Sequence, residues 1–254
     1  MMWKALQFQG KRDYMEDRFI VQESFYKDYD LYAVFDGHGG DFVAEFCRRN
    51  ILTVLSNELE KTTNIHNALH DTFIILDKLV PLHQSYMTGT TCLVVLVSPS
   101  NAIIANCGDS RAIANSNDVP IALSKDHKPI TTERTRIQEL GGHVIQTQGG
   151  VWRVSGELAV SRAIGDKHLR PYVIPNPEVF QIDFVPSNKF IVIATDGLWD
   201  IMTNNDVVNI IHSQYIDKSL TDNVVLIHSA NKLLSSIFNT VEDNTTVLIV
   251  HIRR

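Results

Sequence analysis

The chain reads as an α+β protein in which helices pack on β-sheets. Strand-like runs come in clusters at hairpin spacing, and helical periodicities fall in blocks between those clusters. The strict strand–helix alternation that a parallel sheet requires is missing. With 254 residues and 44% apolar content, the sequence can fill a sizeable core, which excludes wholesale disorder. No Pro/Gly/Ser-rich linker, like-charge block or repeat divides it, so residues 1–254 are expected to form one domain.

Taken in order, strands are predicted at Trp3–Phe8, Arg18–Glu23 and Leu31–Phe35, the last two separated by a polar turn around Asp28–Asp30. Val43, Cys47, Ile51, Val54 and Leu55 recur at helical spacing and predict a helix from about Asp41 to Glu60, with Asp41 as N-cap. Ile65, Leu69, Phe73 and Leu76 predict a second helix over Ile65–Leu79. Strands return at Thr91–Val97, Ala102–Cys107 and Arg111–Asn115. A mixed stretch from Lys125 to Arg170 holds one helix, Thr132–Leu140, stopped by Gly141-Gly142. Strands follow at Val179–Phe184 and Phe190–Ala194, then a helix over Thr221–Phe238, and a final strand at Thr246–Ile252.

Charge and cysteine usage narrow the function classes. Acidic side chains outnumber basic ones, 29 to 23, so a general attraction to nucleic acid or an anionic membrane is not expected. Apolar runs such as CLVVLV fall far short of the ~20 residues of a membrane-spanning helix. The start, MMWKALQFQGKR, lacks the apolar core of a signal peptide, and an intracellular protein, cytoplasmic or nuclear, is expected. Cys47, Cys92 and Cys107 form no C-x-x-C pair and read as small buried residues.

The informative feature is where the acids fall. Twice an apolar run ends in Asp-Gly: LYAVF before Asp36-Gly37, and FIVIAT before Asp196-Gly197. A strand ending in Asp projects a carboxylate from the sheet edge, and the glycine leaves room for the backbone to approach a ligand. Asp243 precedes the last strand, Asp109 sits in the turn NCGDSRA, and Glu16 and Asp17 precede RFIVQE. If these acids converge, their repulsion needs counter-charge. Basic neighbours are few, chiefly Arg12, Arg18 and Arg111, and none flanks Asp36, Asp196 or Asp243. All-oxygen ligation points to a hard divalent ion, Mg²⁺ or Mn²⁺, and not to zinc. The sequence has no phosphate-binding P-loop, dinucleotide fingerprint, nucleophile elbow or C-x₅-R loop. His66 and His70 read as a solvated helix face, and the sequon at Asn244 reads as coincidence.

At these residues the sequence is similar to the metal-dependent protein phosphatases of the PPM, or type 2C, family. The resemblance runs nearly end to end, in order: GKRDYMED, VFDGHGG, GTTC, NCGDSRA, DHKP, LAVSRAIGD, ATDGLWD and EDNTTV. It implies a four-layer α-β-β-α sandwich of two antiparallel sheets, with metals at one end. It implies hydrolysis of phosphoserine and phosphothreonine in proteins, in signalling, by a metal-bridging hydroxide. By motif position, Asp36 would bridge two metals; Asp196 and Asp243 would complete the first site. The Gly37 carbonyl and Glu16, with Asp17 through water, would serve the second. Asp109, Asp196 and Asp200 match a weaker third site. Arg12 matches the phosphate-binding arginine and His38 the proposed general acid. Arg162 and Asp166 are not counted among the ligands, whereas Lys167, His168 and Arg170 are candidates for substrate contact beside a flap. A monomer that is roughly the catalytic core, binding neither nucleic acid nor membrane, is expected.

Overall fold

The computed structural model describes residues 1–215 and 219–252. Two five-stranded antiparallel sheets stack face to face. The first has the order Met2–Phe8, Thr245–His251, Phe190–Ala194, Arg111–Ser116, Val119–Ala122. The second runs Glu178–Asp183, Asn101–Cys107, Cys92–Val97, Tyr29–Phe35, Arg18–Tyr26. Helices cover both outer faces, so the α+β sandwich expectation holds.

Strand periodicity explains the layering. In Tyr29–Phe35, Tyr32 and Val34 face the sheet–sheet core beside Leu93, Val95, Ile193 and Leu248. The alternate residues Leu31, Ala33 and Phe35 point outward against helices Phe42–Lys61 and Ile65–Leu79, through Ile51, Leu55, Leu69 and Phe73. Phe190, Val192 and Ile249 pack likewise against helices Asn204–Gln214 and Asp222–Ile237, through Val208, Ile211, Leu226 and Leu233. Strands buried on both faces have no polar side, which is why LYAVF, CLVVLV and FIVIA read as unbroken apolar runs. Each such fully buried side chain contributes roughly 1.5–3 kcal/mol of transfer free energy.

Several local expectations change. The turn before the second sheet's Tyr29–Phe35 strand is Lys27-Asp28, and Asp30 lies inside the strand, accepting a bond from Ser24 N at 2.7 Å. Asp41 holds the N-cap position of helix Phe42–Lys61, yet its carboxylate makes no capping bond and accepts from Arg18 instead, at 2.5 Å. Helix Asn204–Gln214 was not expected; a capping box between Thr203 and Asp206 starts it. All three cysteines are buried. Between the sandwich strands, helix Thr131–Glu139 and the hairpin Val144–Gln146/Trp152–Val154 close on a small core of Ile137, Val144, Val154, Val160 and Leu169. This forms a flap over one end of the sandwich.

Candidate active site

At that end a cavity of about 660 Å³ opens between the strand termini and the flap. Its walls include Arg12, Glu16, Asp36, Gly37, His38, Asp109, Asp196, Asp200 and Asp243. The flap adds the apolar residues Ile130, Val151, Trp152, Leu158 and Val160 to the lining, together with Arg153.

Strand ends deliver the acids. Asp36 follows Tyr29–Phe35, and Asp109 sits in the turn after Asn101–Cys107. Asp196 and Asp200 bracket the short helix that follows Phe190–Ala194. Oxygens of Asp36, Asp109 and Asp196 lie within 4.8 Å of one another. At an effective dielectric of about 20, two charges at such separations repel by of order 3 kcal/mol. Burial pushes the Asp36 carboxyl well above the usual range, helped by Asp196, Asp17, Asp109 and Asp243. Burial, then Asp109 and Asp200, pushes Asp196 up to about 8. Asp200 is raised by burial as well. The set of hard oxygen donors, held against its own repulsion, fits a divalent cation such as Mg²⁺ or Mn²⁺.

The remaining acids sit differently. Asp243 lines the cavity, but Oδ2 accepts from Arg12 Nη2 at 2.7 Å and Oδ1 from Asn244 N at 2.7 Å. Asp17 lies behind the wall. Its Oδ2 accepts from Thr195 and Thr246 hydroxyls at 2.9 and 2.8 Å, while the buried Oδ1 has no protein partner. Burial pushes Asp17 up to about 6, against the lowering effect of those two threonines. Glu16 lines the cavity, and its backbone N–H donates to Asn244 Oδ1 at 2.6 Å.

The two Asp-Gly glycines are also sites of close packing. A Cβ at Gly37 would stand 2.6 Å from the Glu16 carbonyl oxygen, and one at Gly197 2.2 Å from that of Asn244. Both therefore let acid-bearing loops pack against each other, and Gly37 also lines the cavity.

Counter-charge also comes from places the local sequence does not flag. Lys128 Nζ pairs with Asp109 Oδ2, and Arg12 pairs with Asp243, although neither flanks its partner in sequence. Asn244, the sequon residue, is buried and donates to the carbonyls of Gln9 and Tyr14 at 2.8 and 3.0 Å, fixing the loop that carries Arg12 and Glu16. His38 Nε2 lies 2.7 Å from Asp166 Oδ2. Burial opposes protonation of the His38 ring, but the Asp166 carboxylate outweighs it and raises the pKa. With Nε2 committed to Asp166, Nδ1 is the ring nitrogen left for another partner.

Of the flap candidates, Lys167 and Arg170 turn inward to Asp77 at 2.5 and 2.7 Å. His168 bonds Tyr86 O and Glu157, so these three are tied to protein groups and do not line the cavity. His66 and His70 sit on the exposed side of their helix, bonded to Gln181 and Asp71.

Fold and site together define a helix-flanked β-sandwich with a carboxylate-lined cavity suited to hard divalent cations. A family model described as Protein phosphatase 2C matches residues 3–238. The chain belongs to the protein phosphatase 2C family. It is 36% identical over 207 residues to probable protein phosphatase 2C 2 of Arabidopsis thaliana, covering 79% of this chain and 54% of that protein. It is 33% identical over 282 residues to protein phosphatase 2C 37 of the same plant, covering 96% of this chain and 70% of the relative. Among several matched relatives the chain spans about half the length of the other protein. A serine-threonine phosphatase 2C structure from Toxoplasma gondii shares the fold at TM-score 0.81 and 23% identity, covering 99% of this chain and 94% of that one. A C. elegans sex determining protein aligns with TM-score 0.87 at 22% identity, over 99% of this chain and 65% of its own. Among the described residues, no helix is long and apolar enough to cross a membrane.

Proposed function

We propose that the chain is a Mg²⁺- or Mn²⁺-dependent protein serine/threonine phosphatase, hydrolysing phosphoserine and phosphothreonine as a single catalytic domain. The observation behind this reading is the convergence of carboxylates from five chain segments on one cavity, around Glu16, Asp36, Asp109, Asp196 and Asp243. Membership of the protein phosphatase 2C family supports it independently. Asp36, Asp196 and Asp243, the Gly37 carbonyl and Glu16 would hold two ions, with Asp17 behind them. Asp109 and Asp200 face the same cavity and suit a further, weaker ion. Bound there, divalent ions would neutralise the carboxylates and lower the pKa of water into the range where it acts as a nucleophile near neutral pH.

The chain's own residues have separable tasks. Arg12 stands at the cavity rim with its Nη2 on Asp243, and its other guanidinium donors are available to the phosphoryl oxygens. His38 faces the cavity with Nε2 anchored by Asp166, so Nδ1 is the atom that would deliver a proton to the departing serine or threonine oxygen. The apolar flap wall of Ile130, Val151 and Trp152 would receive the peptide around the phosphorylated residue and exclude water. Chain positions far from each other thus bind, orient and protonate a single phosphoester.

The direct test is turnover of a phosphothreonine peptide by protein treated with EDTA and desalted. Activity should be lost and should return on adding Mg²⁺ or Mn²⁺. Full turnover without added metal would refute the proposal.

A further inference from the structure

The segment Asp126-His127-Lys128 is clipped residue by residue onto the turn that carries Asp109. Asp126 receives a two-pronged bond from Arg111, Nε to Oδ1 at 3.0 Å and Nη2 to Oδ2 at 2.6 Å. The buried His127 accepts from Gly108 N through Nδ1 at 3.1 Å, and its own N–H donates to Gly108 O at 2.9 Å. Asn106 adds a bond from its side-chain amide to Lys125 O at 2.9 Å. With both neighbours of the turn fixed, the Lys128 ammonium is delivered to Asp109 Oδ2 inside the acid cavity. Burial disfavours charge on that ammonium, yet the carboxylates of Asp109, Asp196 and Asp200 more than offset this and raise its pKa. The clip thus holds the lysine ammonium against Asp109 inside the cavity that Asp196 and Asp200 also line.

We propose that Lys128 is a built-in counter-cation of the Asp109–Asp200 side of the cavity, and that a divalent ion binding there must displace its ammonium from Asp109. The inference rests on the metal-dependent reading above and adds a competitor to it. A lysine in this place stabilises the metal-free fold by relieving carboxylate repulsion, and it weakens the last ion to bind by the same electrostatic interaction. Loss of metal then leaves the cavity partly neutralised instead of bare.

The test uses the full chain, stripped with EDTA and desalted, titrated with Mn²⁺ while free Mn²⁺ is read by electron paramagnetic resonance. Melting in EDTA is measured in parallel. Lys128→Met should bind its weakest Mn²⁺ about tenfold more tightly than the native chain, a change of one decade in Kd. It should melt lower in EDTA and regain more on Mn²⁺ addition. Lys128→Arg, which keeps the charge, should behave like the native chain in both measurements. Lys128→Gln carries the same expectation as Lys128→Met if the methionine variant does not fold. Superimposable Mn²⁺ isotherms for native chain and neutral variants would overturn the inference and leave the metal-dependent reading intact. A shift in Lys128→Arg as large as in Lys128→Met would also overturn it, because packing and not charge would then be responsible. If the native chain bound no Mn²⁺ at all, both readings would fall.

Discussion

Two buried clusters of charge, one at the strand ends and one beneath the flap, treat carboxylates in opposite ways. Under the flap, Glu133 accepts from Arg162 Nη2 at 2.5 Å, Arg136 Nη2 at 2.9 Å and Ser161 Oγ at 2.8 Å. Burial alone would raise its pKa, but these partners, Arg162 foremost, bring it down to about 2. At the strand ends, Asp36 and Asp196 are driven up by burial and then by other acids. One cluster is internally neutralised and needs nothing more. The other is left short of positive charge by the fold, and a group kept in that condition is a candidate for function. Unequal satisfaction of charge separates scaffold from site.

Breaking one member of each cluster should give opposite stability changes. Asp36→Ala is expected to cost roughly 10³-fold or more in kcat toward a phosphopeptide, about 4 kcal/mol of barrier, while the EDTA-treated variant melts higher than the native chain. Near-normal turnover, measured at saturating Mn²⁺, would break the comparison at its centre. Glu133→Gln should instead destabilise the chain by about 1.5–3 kcal/mol, with or without metal, because it removes the charged acceptor shared by Arg162 and Arg136 and leaves Arg162 only Glu178 and the Asn176 carbonyl. Urea unfolding of that variant checks it; a loss below about 1 kcal/mol would mean Glu133 is no keystone.

The sequence made the first cluster legible and the second opaque, for a physical reason. Apolar runs ending in Asp-Gly are local signals, so Asp36, Asp196 and the turn acid Asp109 could be read before any fold was known. Glu133 sits in a polar helix, and its partners Ser161 and Arg162 stand almost thirty residues on. Only tertiary packing marks it. The same holds for Lys128 and Arg12, whose acid partners lie 19 and 231 positions away. The layers of the sandwich were readable from continuous apolar strands and helical spacing. Helix Asn204–Gln214 was missed because it is short, with its apolar residues Val207, Val208, Ile210 and Ile211 confined to one stretch, and its start rests on the Thr203–Asp206 exchange.

Titration sharpens the contrast further. Asp196 has a folded value of about 8 against 3.8 unfolded, so between those values the metal-free folded chain binds more protons than the unfolded one. Its stability contribution is therefore fullest below the unfolded value and is lost as pH rises toward 8. Glu133 runs the other way, with a folded value of about 2 against 4.5: its contribution is present above 4.5 and is lost as pH falls toward 2. Melting of the EDTA-treated chain should decline by a few kcal/mol equivalent from about pH 5 to 8, since each shifted unit is worth about 1.4 kcal/mol. Excess Mn²⁺ should abolish most of that decline, and Asp196→Asn should flatten it. A melting temperature that rises over the same interval would show that the acid cluster is neutralised by something else.

Arg12 offers the mildest break, because its pairing belongs to neither extreme. The Arg12–Asp243 bond is 2.7 Å long, but the arginine side chain is 56% exposed, so the pair itself is worth only about 0–1 kcal/mol. Arg12→Ala should therefore leave the melting temperature nearly unchanged. If the guanidinium holds phosphoryl oxygens, the same variant should raise KM for a phosphopeptide about 10–100-fold with a smaller change in kcat. Lysine at that position should recover part of the loss, since it keeps the charge without the planar fork. A melting temperature that falls as far as in Glu133→Gln would move Arg12 into the scaffold. A fixed KM with a displaced pH profile would instead assign its effect to Asp243, whose counter-charge the substitution removes.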